Sequence, residues 1–349
     1  MKALGYNAAS LSRYQKVNHM QRYHIYGLGA ALVDTEIEVS DAFLAQANIQ
    51  KGLMTLVDEV RQEELLTLME SHQVGSTRAS GGSACNSIIA ASYFGAKTFY
   101  SCKVADDDNG RFFQHDTQLA GVTTPDTSLP EGTTGKCLVM ITPDAERTMN
   151  TYLGISETLS TTELNPEAIA QSEYVYLEGY LVTSVSGKAA AIKARELAEQ
   201  HQVKTAISLS DPGMVQYFKS GLQEMIGKQV DLLFCNKDEA LSWTETDTIE
   251  QAAEKLKHSA RTFAITLGAE GALVFDGNEL SKVSGESAQA IDTNGAGDMF
   301  AGAFLYAITH GHSYTEAARL ANKAAAKVVS QYGPRLKPEQ HAEIKSVLA

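Results

Sequence analysis

Asp292-Thr-Asn-Gly-Ala-Gly-Asp298, followed directly by the apolar run Met299-Phe-Ala-Gly-Ala-Phe-Leu-Tyr306, decides how this chain is read. A glycine-rich turn that opens a helix leaves the first backbone N–H groups without intrahelical partners, and the positive end of the helix dipole points the same way. Such a turn predicts an anion site. Gly295 and Gly297 let the backbone approach an anion with no Cβ in between, and Asp298 falls at the mouth of the same helix. A carboxylate repels a resting anion. Its place there makes sense if it takes a proton from a hydroxyl that attacks a phosphoryl group held by the amides. The plainer alternative is a helix start capped by Asp, which needs neither the two glycines nor the second aspartate.

These residues resemble the second signature of the PfkB carbohydrate kinases, the ribokinase-like family, in which Asp-Thr-x-Gly-Ala-Gly-Asp closes the active site. The resemblance implies an α/β chain with a ribokinase-like three-layer α/β/α fold, a mostly parallel central sheet and a small β-sheet lid carrying a helical insert. It also implies ATP-dependent phosphorylation of a sugar or nucleoside hydroxyl, with Asp298 as base and the amides of Gly295, Ala296 and Gly297 as anion hole. Spacing alone reaches a phosphate and a base. It does not reach ATP.

The 349 residues suffice for one large α/β domain with an accessory element, or for two domains. With 44% hydrophobic, 7% aromatic and 20% charged residues, the composition is that of an ordinary globular protein. No apolar run approaches the ~20 residues that cross a bilayer, and residues 1–22 are polar and mixed, without the core of a signal peptide. The expected location is the cytoplasm, with no membrane partner. Cys85, Cys102, Cys137 and Cys235 are far apart and form no Cys-x-x-Cys pair, so they read as buried thiols rather than a disulfide framework or zinc site. A net charge of -13 argues against nucleic acid as a partner. It says nothing against small anionic ligands, which local amides and single side chains hold.

Short β-rich runs alternate with helical ones: Tyr23–Leu28, Thr98–Val104, Tyr174–Glu178, Thr205–Leu209, Leu232–Cys235 and Thr262–Leu267 read as strands, with amphipathic stretches such as Ser186–His201 and Ile249–His258 between them. That alternation predicts a mostly parallel sheet covered by helices, with ligands at the carboxyl ends of the strands. Two regions break the rhythm. Val33–Val39, and later Gly135–Thr142 with Arg147–Leu153, are alternating and turn-separated, which predicts a small projecting sheet. The expectation is one domain over residues 1–349, a lid made of segments near 33–80 and 120–153, and an N-terminal extension over 1–22. Asp41–Ser71 reads as a long helical insert with Leu53, Leu56, Val60, Leu65 and Leu68 spaced for an apolar stripe, the mark of a packed surface helix pair or of a lid.

The remaining motifs follow the family's order. Asp34, at the base of the predicted lid, stands where the resemblance places the carboxylate that binds the acceptor's hydroxyls; a carboxylate can accept from two vicinal hydroxyls at once. Gly81-Gly82-Ser83-Ala84-Cys85-Asn86 resembles the first signature, Gly-Gly-x-x-x-Asn, which makes Gly81, Gly82 and Asn86 acceptor contacts; a helix-interior Asn bonded only to backbone is the alternative. Asn236-Lys-Asp-Glu239 is similar to the family's Asn-x-x-Glu, which implies a magnesium ion held mainly through water by Asn236 and Glu239. Thr266-Leu-Gly-Ala-Glu-Gly271 resembles the ATP-side loop, so Thr266, Gly268, Gly271 and, further on, Asn322 are candidate nucleotide contacts. Arg147, in Pro143-Asp-Ala-Glu-Arg-Thr148, is the candidate to steady the transferring phosphoryl group from the lid, with an exposed hairpin Arg as the alternative.

Three competing patterns fail. Gly27-Leu-Gly29 follows a strand, but Leu32 stands at the third glycine position of a dinucleotide fingerprint. Val104-Ala-Asp-Asp-Asp-Asn-Gly110 has its glycine too early for a calcium loop and no Glu at the twelfth position. No Gly-x-x-x-x-Gly-Lys-Ser/Thr loop is present. Within the family, the long insert after Asp34, Asn294 in the anion turn, and Tyr176-Leu-Glu-Gly-Tyr180 resemble the adenosine kinase branch. The expected reaction is phosphorylation of a nucleoside 5′-hydroxyl, adenosine foremost, by ATP with Mg2+, and a monovalent cation such as K+ as a further candidate. The alternatives are a kinase of ribose, fructose or 2-keto-3-deoxygluconate, and a non-catalytic nucleotide-binding regulator. Monomer and homodimer both stay open.

Overall fold

In Ser172–Glu178, Tyr174 and Tyr176 pack into one core while Val175 and Leu177 pack into another, and in Val230–Asn236 the same alternation sends Leu232 and Phe234 one way and Leu233 and Cys235 the other. A strand apolar at every position is one covered by helices on both faces. The computed structural model describes residues 23–69, 77–126 and 128–348. The extension expected over residues 1–22 lies outside them.

In chain order the elements are β1 (Tyr23–Leu28), β2 (Leu32–Glu38), α1 (Asp41–Gln46), β3 (Met54–Leu56), α2 (Glu59–Met69), β4 (Thr77–Gly81), α3 (Ser83–Phe94), β5 (Thr98–Ser101) and α4 (Asp108–Leu119). They continue with β6 (Thr134–Ile141), β7 (Arg147–Gly154), α5 (Pro166–Ala170), β8 (Ser172–Glu178), α6 (Val185–Gln200), β9 (Lys204–Ser208), α7 (Pro212–Ile226) and β10 (Val230–Asn236). The last are α8 (Lys237–Thr244), α9 (Ile249–Leu256), β11 (Ala260–Thr266), β12 (Ala272–Phe275), β13 (Leu280–Val283), α10 (Ala296–Thr309), α11 (Tyr314–Val328) and α12 (Pro338–Lys345). Eight strands form the main sheet in the order β13-β12-β11-β10-β9-β8-β1-β5, parallel throughout except for β12 and β13 at one edge. One face carries α3, α10, α11 and α12, and the other carries α5 to α9. This is the three-layer α/β/α fold. Among the described residues no helix is long and apolar enough to cross a membrane.

A second sheet, β3-β7-β6-β2-β4, is built from residues 32–81 and 134–154. Its β2 and β6 run parallel, and β6–β7 is an antiparallel hairpin. Among the described residues of 120–133 there is no named strand, and Thr123 instead bridges to Phe99 of the main sheet.

The helical insert is corrected by the structure. Between Asp41 and Met69 stand two helices separated by β3, which pairs with β7; Ser71 lies outside the described residues. Gly52, at φ +80, turns the chain between α1 and β3. The predicted stripe therefore crosses two elements and is no stripe: Leu65 is buried, whereas Val60 is 66% exposed and Leu53, Leu56 and Leu68 are exposed too. The face that α2 does bury, Gln62, Leu65 and Met69, is spaced for one side of a helix, and its apolar members pack with Phe43, Leu44, Leu138 and Met140. The strand expected over Thr98–Val104 ends at Ser101, because Asp107 caps α4 by accepting from Gly110 N.

Candidate active site

Two helices that touch closely bring the site together. Ala84, Ala90 and Ala91 on α3 face Ala301, Gly302 and Ala303 on α10 within one core, and a Cβ at Gly302 would lie only 2.8 Å from that of Ala90. Small side chains let the axes approach, and so the two N-termini meet. There Asp298, in the first turn of α10, accepts from Ser83 Oγ at 2.6 Å and from Asn86 Nδ2 at 3.1 Å. Asn86 is thus tied to a carboxylate across the core, not to its own helix backbone. Burial pushes the Asp298 carboxyl above the usual aspartate value of 3.8, against the pull of those two bonds and of Arg147.

Asp34, on β2, lies buried where β2 pairs with β4. Its carboxyl occupies the space that a Cβ at Gly81 would take, which gives Gly81 its reason to be glycine. Gly82 precedes α3 at φ +99, and a Cβ there would run into Ala30 O. Burial, reinforced by the charges of Glu36, Asp298 and Glu178, raises the Asp34 carboxyl to about 8, with Arg335 pulling the other way.

The turn before α10 is held partly from the second sheet and its β6–β7 connection. Thr293 Oγ donates to Ala145 O at 3.2 Å, Asn294 Nδ2 donates to Glu36 Oε1 at 3.2 Å, and Asn294 N donates to Asp292 Oδ1 at 2.8 Å. The i→i−4 ladder of α10 opens with Met299 N to Gly295 O at 2.8 Å, so the amides of Gly297 and Asp298 precede it. Gly295, at φ +73, makes the turn against Pro334, whereas a Cβ on Gly297 would meet nothing within 4 Å.

Around this turn lies a cavity of about 370 Å³. Its lining includes Asp34, Gly82, Ser83, Asn86 and Glu178, the turn residues Gly295, Ala296, Gly297 and Asp298 with Arg147, and Asn236, Glu239, Thr266 and Gly268. Leu32, Met54, Leu56, Cys137, Met149 and Leu153 from the second sheet give it an apolar wall. Asn236 caps α8 and accepts from Glu239 N, while Glu239 accepts from Asn236 N and Nδ2. Burial lifts the Glu239 carboxyl to about 7.

Three candidates do not line the cavity. Gly81 only makes room for Asp34; Gly271, at φ +97, packs on the backbone of Val283–Gly285; and Asn322 spends its amide on Val283 O and Ser284 O at 3.2 and 3.0 Å. Several lining residues were given no site role from the sequence. Ser83 stood inside a motif read for its glycines. Glu178 accepts from the amides of Ala84 (2.9 Å) and Ala30 (3.4 Å), and burial raises it to about 7. A charged residue closing an apolar parallel strand was the available signal for Glu178.

Among the described residues no three His, Cys, Asp or Glu side chains cluster as a metal cage. The lining holds Asp34, Glu146, Glu178, Glu239 and Asp298 against one cation, Arg147. Oxygen donors such as Asn236 and Glu239 fit a divalent ion that arrives with a polyphosphate and keeps most of its water.

Comparison with known proteins gives the same picture. The profile described as "pfkB family carbohydrate kinase" matches residues 53–341. The solved adenosine kinase of Sinorhizobium meliloti is 35% identical, with a TM-score of 0.87 over 92% of this chain and 99% of that one. A probable sugar kinase protein from Rhizobium etli is 32% identical, with a TM-score of 0.88 over 94% of this chain and 100% of the other. An adenosine kinase of Schizophyllum commune is 26% identical over 346 residues, spanning 91% of this chain and 98% of its own length.

Proposed function

The chain belongs to the pfkB family of carbohydrate kinases, and on that footing we propose that it transfers the γ-phosphoryl group of ATP to the 5′-hydroxyl of a nucleoside, adenosine foremost. The observation that carries the nucleoside reading is the apolar wall of Leu32, Met54, Leu56, Met149 and Leu153 next to Asp34 and Asn86. A free sugar has no use for such a wall, whereas a nucleobase buried on it adds binding energy. The 35% identity to an adenosine kinase supports the same reading.

In this reading Asp34 and Asn86 hold the ribose hydroxyls, and the 5′-hydroxyl lies at Asp298, whose raised carboxyl is a better base than an exposed aspartate. The amides from Gly295 to Asp298 face the phosphoryl oxygens, and Arg147 offsets their charge from the lid side. Thr266 and Gly268 sit on the nucleotide side. Asn236 and Glu239 would hold Mg2+ through water, and the ion would supply charge neutralisation on the phosphates.

A sugar kinase is the second reading, favoured by the 32% identity to a probable sugar kinase protein. An ADP-release assay over adenosine, other nucleosides, ribose, fructose and 2-keto-3-deoxygluconate decides between them. Adenosine is expected to give the highest kcat/KM, by ~10²-fold over ribose. A free sugar that outruns every nucleoside sinks the nucleoside reading, and no turnover with any acceptor leaves a non-catalytic binder.

A further inference from the structure

Arg335 grips the acceptor end from outside the cavity. Its guanidinium, 12% exposed, forks to three elements: Nε donates to Asn86 Oδ1 at 3.3 Å, and the two terminal nitrogens donate to Asp116 Oδ2 at 3.0 Å and Ser80 Oγ at 2.9 Å. An amide has one oxygen and one NH2 group. With its oxygen committed to Arg335, Asn86 must present its NH2 to Asp298, and the flipped amide would set donor against donor and oxygen against carboxylate. The residues just before Arg335 are pinned to the anion turn: Gly333 N donates to Asp292 Oδ2 at 3.0 Å, and Pro334 backs Gly295. One short segment thus touches both the acceptor helix and the turn that faces the phosphate.

We propose that Arg335 is a positioning residue for phosphoryl transfer: through Asn86 it sets the orientation in which Asp298 and the acceptor hydroxyl meet. Its charge also bears on Asp34, which otherwise faces Glu36 on its own strand, Glu178 at the end of β8, Asp298 on α10 and the Cys137 thiol on β6. The inference rests on Asp34, Asn86 and Asp298 forming the acceptor end, whatever the acceptor is.

The test uses the full chain and the best acceptor from the panel above, with acceptor and ATP varied separately across pH. Arg335→Met is expected to lose ~10–100-fold in acceptor kcat/KM, since a small misplacement at the reacting groups is enough, while the KM for ATP stays within about two-fold. The pH at which acceptor KM rises should move up, because Asp34 loses the charge that holds its carboxyl down, while the acid limb of kcat, set by Asp298, stays in place. Arg335→Lys keeps that charge and the pair with Asp116 but not the fork. It should keep the wild-type pH dependence of acceptor KM and still lose ~10-fold or more in kcat/KM. If Arg335→Met does not fold, Arg335→Met with Asp116→Leu leaves no unpaired carboxylate and carries the same expectation. Folded variants with wild-type acceptor kcat/KM would overturn the inference, and so would a loss confined to ATP. A wild-type chain inactive on every acceptor would sink both this inference and the function proposed above; an active wild type with unaffected variants sinks this inference alone.

Discussion

Asp298 is held at both oxygens by groups from another helix, and this decides what a substitution there reports. Asp298→Asn keeps shape and bulk while removing the base, so kcat is expected to fall ~10²–10⁴-fold with little change in ATP affinity by calorimetry. Burial raises this carboxyl, so the wild-type acid limb belongs above the ordinary aspartate value of 3.8, with activity lost as pH falls and the base is protonated. An Asn variant with near-normal turnover would remove Asp298 from the chemistry. The two glycines of the turn differ in what they test. Gly295 has positive φ and sits against Pro334, so a side chain there strains the fold itself. Gly297 faces open space. Gly297→Val should therefore keep its melting temperature and lose ~10²-fold or more in kcat as its side chain fills the phosphate's place. A folded, fully active Gly297→Val chain would contradict the anion-hole reading.

At the scale of elements, the insert between β2 and β4 is where reading and structure part. The spacing of Leu53, Leu56, Val60, Leu65 and Leu68 pointed to one buried helical face, but β3 takes Leu56 into a sheet and only Val60, Leu65 and Leu68 lie on α2. Helical periodicity has meaning only within one helix. Met54 and Leu56 consequently reach the cavity wall from a strand, with Leu56 exposed. Leu56→Asp should raise the nucleoside KM ~10-fold, the worth of one apolar contact with a base, while leaving the KM for ATP and any turnover of ribose unchanged. Equal effects on nucleoside and ribose would show that this wall does not meet the base.

Of the carboxyl groups raised by burial at the site, three reach the neutral range: Asp34 is raised to about 8, Glu178 and Glu239 to about 7. The folded chain holds these protons where the unfolded chain has released them, so stability falls as pH rises through that range. His24 and His341 act oppositely, since burial lowers both below 6.5 and the unfolded chain takes up their protons first as pH falls. The ligand-free protein is expected to melt higher near pH 6.5 than at pH 8, measured by calorimetry in buffers of equal ionic strength. Asp34→Asn should flatten the upper part of that slope. A melting temperature that climbs steadily to pH 8 would show that these carboxyls are ionised and paired in the fold.

Local chemistry was legible in the chain. Asp292-Thr-Asn-Gly-Ala-Gly-Asp298 named the family and reaction class, and the alternation of apolar runs named a parallel sheet between helices, because both signals lie within a few residues of backbone. Boundaries came within a few residues, and most of the candidates, though not Gly81, Gly271 or Asn322, line one cavity, helped by parallel strands that put their carboxyl ends together. What the tertiary structure decided is everything set by side chains far apart in sequence. Asn86 and Asp298 meet only because small residues let α3 and α10 touch. Glu178 is held by the distant amides of Ala84 and Ala30, which donate to it, and Arg335 reaches Asn86, Asp116 and Ser80 from a segment with no motif of its own. Such contacts leave no periodicity or spacing in the chain; packing alone creates them.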